Sequence, residues 1–328
     1  MAHSTVPAIT KDPQTERHRE LTRKLNNVPT RSAAFSLVVS LRPAQWTKNL
    51  IVFAGLMFGQ RGGAPAFLDP LAIGQALAAF FIFCALSGVV YLINDVADRE
   101  ADRLHPLKRH RPIASGAVSP GLAIGFALTL AAVALAAAYA LRPAFALVAV
   151  AYVSLLALYS GPLKHVVIID VLTIAVGFVL RAAAGAVAIG VSIDHWLLIL
   201  TILLALFLAL SKRRHELVLL ADGATSHRPI LEEYSPYLLD QMIAVVTAST
   251  LVTYVISTVS AETVQKYHTD YLGLTLVFPL YGIFRYLYLV HQKEGGGSPA
   301  DMLLNDRPLL ACVAIWAMAV TLIIYGAR

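Results

Sequence analysis

Long apolar runs separated by short polar breaks dominate the chain, and they set its architecture before any single residue does. Runs of about 17 to 25 apolar residues cross hydrocarbon. Such runs fall around 44–60, 71–93, 119–141, 143–160, 166–191, 195–211, 240–260, 271–291 and 308–326. About nine transmembrane helices are therefore expected, in an all-α polytopic membrane protein. One transmembrane catalytic domain covers 35–328, behind a polar tail at 1–34. The tail mixes Lys11, Arg17, Arg19, Arg23 and Lys24 with acids, Pro and Thr, and lacks the apolar stretch of a signal peptide. It reads either as disordered or, over Glu16 to Leu25, as a short basic helix lying on headgroups. The pattern shows no internal repeat and no unwound pair of spans.

Composition narrows the class. Apolar residues make up 58% and charged residues 14%, with a mean hydropathy of +0.68, which excludes an ordinary soluble domain. Twenty lysines and arginines fall on one side of the nine spans and four on the other (Arg61, Arg142, Lys266, Arg328). That bias predicts a cytoplasmic N-terminus and cytoplasmic charged loops in the plasma membrane. It also absorbs the net charge of +6, so no nucleic-acid partner is expected. Cys84 and Cys312 both lie inside spans and read as small packing residues. Small-residue faces of the spans allow, without requiring, homo-oligomerisation.

Candidate chemistry concentrates between Tyr91 and Gly116, where the apolar pattern gives way to dense charge. On a continuing helix Asp95, Asp98 and Asp102 share one face, with Asn94 a turn before Asp98. Stacked carboxylates repel. Oxygen-only ligands on one face suit a hard cation such as Mg2+, whose shell is completed by water and substrate phosphates. The following cations, Lys108, Arg109 and Arg111, would hold the phosphate oxygens that the metal leaves free. The competing reading is a solvated helix end whose acids simply pair with these bases. Pro106 and Pro112 prevent one continuous helix and fold the loop back over the membrane face.

Further candidates face the same side. Lys48 and Asn49 lie about one turn inside the first span, where Lys48 has the alternative of snorkelling to the interface. Tyr159 and Lys164 flank a Gly161–Pro162 turn. Asp170 lies one turn into the fifth span as a candidate site residue. Arg181, eleven residues on and about 16 Å deeper, is too far from Asp170 to pair with it. It reads as a structural tie to carbonyls or to Glu or Tyr of a neighbouring span, with a site role as the alternative. Lys212, Arg213 and Arg214 follow the sixth span. After them Glu232, Glu233, Tyr234 and Pro236 could cap the site as a short helix.

Asn94-Asp95-x-x-Asp98-x-x-x-Asp102, Tyr159-x-x-x-x-Lys164 and the nine-span layout resemble the UbiA-type intramembrane prenyltransferase superfamily. In that family a second Asp-rich motif normally follows the sixth span. Here the position reads Ser211-Lys212-Arg213-Arg214-His215-Glu216. This replacement, with Arg42-Pro43-x-Gln45-Trp46-x-Lys48-Asn49 and Gly177-Phe178-x-x-Arg181-Ala182, is similar to the decaprenyl-phosphate phosphoribosyltransferase branch. The resemblance implies Mg2+-dependent transfer of 5-phosphoribose from phosphoribosyl diphosphate (PRPP) to a polyprenyl phosphate, with release of diphosphate, for cell-wall arabinan synthesis. It implies Asp95, Asp98 and Asp102 at the metal, with Asn94 beside them in the catalytic set. It implies Lys164, Lys212 and Arg213, then Lys48, Lys108, Arg109 and Arg111, on phosphates, and Tyr159 and Asn49 on ribose or phosphate oxygens. The rival readings are an aromatic or quinone prenyltransferase using polyprenyl diphosphate and, more remotely, a transporter.

Overall fold

The computed structural model describes residues 32–106, 108–221, 229–293 and 299–326. The tail through 31, Arg228 and the glycine-rich stretch 294–298 lie outside the described residues. Helix α1 (Ala33–Ser40) leads into a 3-10 segment (Pro43–Phe53) and a short α2 (Ala54–Phe58). A tight hairpin pairs β1 (Gln60–Arg61) with β2 (Ala64–Pro65) in antiparallel register. Gly62 and Gly63 both take the positive φ that a two-residue hairpin turn demands. Next come α3 (Pro70–Ala97), α4 (Arg99–Leu104), α5 (Pro120–Leu141), α6 (Pro143–Ser160), α7 (Ile169–Ile189) and α8 (His195–Ala221). The chain ends with α9 (Pro236–Val259), α10 (Ala261–Tyr267), α11 (Val277–Gln292), α12 (Pro299–Asn305) and α13 (Arg307–Tyr325).

Among the described residues eight helices are long and apolar enough to cross a membrane, rather than nine. The first expected span is the exception: it crosses as a 3-10 segment joined to a single short helix. Two local features explain this. Arg42 turns the chain in the left-handed region (φ 54°), and Pro43 then opens the segment. The segment also presses backbone against backbone on α7. A Cβ on Gly185 would stand 1.8 Å from the Val52 carbonyl oxygen, and one on Gly55 2.8 Å from the Ala186 nitrogen. The eighth crossing likewise begins with a 3-10 stretch, Tyr271–Leu276, so two spans are irregular where the pattern showed none.

Several long helices start where their sequence stops them from starting earlier. Asp69, Ser119, Ser235 and Asp306 each accept a backbone N–H of the first turn, with a proline at one of the first two helical positions. Helices α3 and α7 are central, each more than half buried, while the other spans are a third buried or less. One apolar core joins the first segment to α3, α5, α6 and α7 through Val52, Phe83, Ala138, Phe145, Tyr152 and Ala184. A second joins α7 to α8, α9, α11 and α13 through Val171, Phe207, Leu239, Tyr286 and Leu309. Helix α7 is the element the two share.

The face opposite the charged loops is closed by polar ties. Lys266 bonds Asp194 at 2.8 Å, and Gln60 donates to the Lys266 carbonyl. Tyr267 and Tyr325 donate to the Phe58 and Met57 carbonyls. Burial works against the Asp194 charge, but Lys266 and the Leu197 and Trp196 amides hold its carboxyl below the usual range.

Candidate active site

Three polar knots, built from the ends and middles of the two central helices, occupy the region that the sequence singled out. The first is acidic. Helix α3 stops at Ala97 and the chain restarts at Arg99, with Asp98 between them. The expected single acidic face is thereby broken. Asp95 and Asp102 are buried, whereas Asp98 is exposed and Asn94 half-buried. One Arg111 nitrogen bridges the two acids, 3.1 Å from Asp95 and 2.7 Å from Asp102. Arg42 forms a second, short bond to Asp95 and lies over the Tyr91 ring. Arg111 therefore holds carboxylates together, while Arg109 stays exposed and Lys108 half-buried nearby.

The second knot centres on Arg213, fully buried on α8. Its Nε donates to Asp170 at 2.9 Å, one Nη to Glu216 at 2.8 Å and the other to the Tyr159 hydroxyl at 3.3 Å. The second Asp170 oxygen accepts from the Tyr234 hydroxyl at 2.8 Å, and Tyr234 in turn accepts the Ile168 N–H. Ile168 holds φ 68°, a position a β-branched residue takes only when its surroundings force it. The 3-10 turn Pro229–Glu233 carries Tyr234 inward onto Asp170. Burial pushes the Tyr234 phenol up to about 12, which keeps it a proton donor to Asp170 at neutral pH. Asp170 and Arg213, both expected at substrate, thus spend their polar atoms on each other and on their neighbours.

The third knot lies deeper. Arg181 donates to Asn49 at 2.8 Å and to the Tyr152 hydroxyl at 2.6 Å, and Tyr152 bonds Ser87. The tie to a tyrosine of a neighbouring span is the structural one expected; the bond to Asn49 was not foreseen. Asn49 is fully buried, its amide nitrogen directed at the Cys84 sulfur. Lys48, beside it, lies within Coulombic range of Lys212, Arg181 and Arg42. The structure thereby brings the acidic knot, the first segment and the start of the basic cluster into one neighbourhood. Lys164 is half-buried at the mouth beside the Tyr159 turn, and Lys212 pairs with Glu216 at 3.8 Å.

Sequence reasoning passed over Arg42, Tyr152 and Glu216. For Arg42 a signal existed, since it opens the same short motif as Lys48, yet the motif gave it no role at the site. The buried Ser211 hydroxyl and Trp46 indole nitrogen, flanking Lys212 and Lys48 in sequence, have no hydrogen-bond partner among the described residues. Away from the site Arg285 pairs with Asp306 and lies over Tyr288.

Among the described residues no three His, Cys, Asp or Glu side chains gather as a ready metal cage. Asp95 and Asp102 do converge, and two buried carboxylates fit a hard divalent ion whose remaining positions are filled by water and phosphate oxygens. The arrangement can therefore bind a polyanion through a divalent ion on the acidic knot and through the cations around it.

Comparison with known proteins agrees with this geometry. The UbiA prenyltransferase family model matches residues 49–305. A decaprenyl-phosphate phosphoribosyltransferase of Corynebacterium glutamicum is 31% identical over 304 residues, covering 90% of this chain and 89% of the relative. Its namesake in Mycolicibacterium smegmatis is 30% identical, covering 90% and 95%. The structure of a UbiA homolog from Archaeoglobus fulgidus bound to GPP and Mg2+ superposes with a TM-score of 0.67 at 20% identity, over 88% of this chain and 99% of that one. With its helical bundle, its interrupted acidic helix and a family match across most of its length, this chain is a membrane transferase of the UbiA prenyltransferase family.

Proposed function

We propose that the chain transfers 5-phosphoribose from PRPP to a polyprenyl phosphate, decaprenyl phosphate in the relatives' names, and releases diphosphate. The observation that carries this reading is the character of the site: one acidic knot, Asp95 and Asp102, with Arg42, Lys48, Arg111 and Lys212 about it. Two phosphorylated substrates need more cations than one prenyl diphosphate does. Lys212, within range of Lys48 and standing where a prenyl-diphosphate enzyme is expected to carry acids, favours it over the quinone-type rival.

In the reaction the bond from the ribose anomeric carbon to diphosphate breaks, its electron pair leaving with diphosphate. A lipid phosphate oxygen forms the new bond to that carbon. The nucleophile is already largely ionised, because a phosphomonoester's second pKa is about 6, so no general base is needed. Asp95 and Asp102 would hold a divalent ion, Mg2+, which supplies charge neutralisation to the departing diphosphate. Arg111, released from the two acids, is placed to take up diphosphate oxygens. Exposed Asp98 and half-buried Asn94, Lys108, Arg109 and Lys164 serve the mouth. The product feeds arabinan synthesis, with the site on the cytoplasmic side of the plasma membrane.

The test incubates purified protein, Mg2+ and polyprenyl phosphate with radiolabelled PRPP. Label is expected in the lipid phase and lost on chelation. Label moving only when an isoprenyl diphosphate and an aromatic acid are supplied would sink the reading.

A further inference from the structure

The molecule buries two arginines and treats them differently. Arg213 has two carboxylates, Asp170 and Glu216. Arg181, 7% exposed, donates only to neutral oxygens, those of Asn49 and Tyr152, and lies against the Tyr152 and Phe178 rings. Among the described residues no carboxylate is in ion-pair contact with it. A guanidinium does not surrender its proton, so this charge persists where an uncompensated charge is costly.

Lys48 compounds the cost. It adjoins Asn49, feels the Arg181, Arg42 and Lys212 charges, and has no carboxylate partner among the described residues either. Arg42 is balanced by Asp95 and Lys212 by Glu216. Lys48 and Arg181 are left as two positive charges repelling each other. Nη1 of Arg181 donates to nothing among the described residues, and the neighbouring Gly177 keeps space beside it, since a Cβ there would be 3.7 Å away. A cation with a free donor, a second cation beside it and no acid describes a receptor for an anion of high charge density.

We propose that Lys48 and Arg181 form a seat for a phosphate group, inside the membrane and separate from the Asp95–Asp102 knot. Lys48 also feels the Arg42 charge, so the seat adjoins that knot, with no ion pair to either acid among the described residues. This deepens the phosphoribosyl-transfer reading and rests on it for the carrier of the phosphate: the 5-phosphate of the donor or the phosphate of the lipid.

The test follows thermal unfolding of the purified full chain in detergent during titration with ribose 5-phosphate and, separately, farnesyl phosphate. At least one titration should stabilise the wild type, and its apparent Kd should weaken about tenfold or more in Arg181→Gln and Lys48→Met, the loss of a charge-assisted hydrogen bond. Arg181→Lys should restore part of it. An effect on ribose 5-phosphate assigns the seat to the donor, and one on farnesyl phosphate to the lipid. Failure of both compounds to stabilise the wild type overturns the proposal, as do titrations unchanged in the variants. If Arg181→Gln does not fold, Lys48→Met decides alone. Both titrations read binding rather than turnover, so absent ribosyl transfer would sink the activity and leave this result standing.

Discussion

Arg111 sits between Asp95 and Asp102, so each acid is fixed by a bond that a substrate-bound ion must replace. Changing Asp95 or Asp102 to Asn keeps shape and removes charge. Transfer is expected to fall about a hundredfold or more, the scale of losing a preorganised electrostatic contact, while membrane insertion and detergent elution stay unchanged. The Asp98→Asn change should cost less, because its carboxylate is exposed and outside the bridged pair. Arg213 belongs to a different category. Replacing it with Met strands the buried Asp170 charge and should destabilise the fold by about 3–5 kcal/mol. The Asp170→Asn, Arg213→Met double variant should be more stable than the summed single losses imply. Additive losses would show that the two residues are not coupled. Sequence alone could mark Arg213 as a phosphate ligand because both roles use the same residue type. The difference lies in what the guanidinium meets across 43 positions of chain, which periodicity does not encode.

At the level of elements the long spans were legible and the first one was not. Eight runs became helices because uniform hydrophobicity, helped in four of them by Asp or Ser caps ahead of proline, leaves the backbone no better way to satisfy itself in lipid. The first run is less hydrophobic, with Gln45, Thr47, Lys48 and Asn49 near its start, and is governed by contacts remote in sequence, chiefly Gly185 of α7 against Val52. Gly185→Ala should expose that dependence. The new methyl would meet the Val52 carbonyl, costing about 1–3 kcal/mol of stability, and a lowered melting temperature in detergent would show it. Because Asn49 rides on the same segment, the variant should also weaken the Arg181 tie. The convergence of Asp95 and Asp102 was legible but the register was not, since the break at Asp98 turns one carboxylate outward.

For the whole molecule, the candidate site lies toward one face while the other is sealed by the Asp194–Lys266 pair and its neighbours. The Asp194 carboxyl is held below its ordinary value, so its contribution to stability is present above the unfolded pKa and is lost as pH falls through the folded one. Despite burial, the Asp194 and Tyr267 contacts hold Lys266 above its ordinary value, so its contribution is lost only as pH rises past the alkaline folded pKa. Melting temperature should therefore be flat between those limits and drop at acid pH more steeply in wild type than in Lys266→Met. The stretched first crossing bears on how such a chain is measured at all. A 3-10 helix advances about 2.0 Å per residue against 1.5 Å for an α-helix. Pro43 to Phe58 thereby reaches roughly 30 Å, the depth of the hydrocarbon layer. An ordinary helix needs about twenty residues for that distance, so this segment covers the same depth in fewer steps.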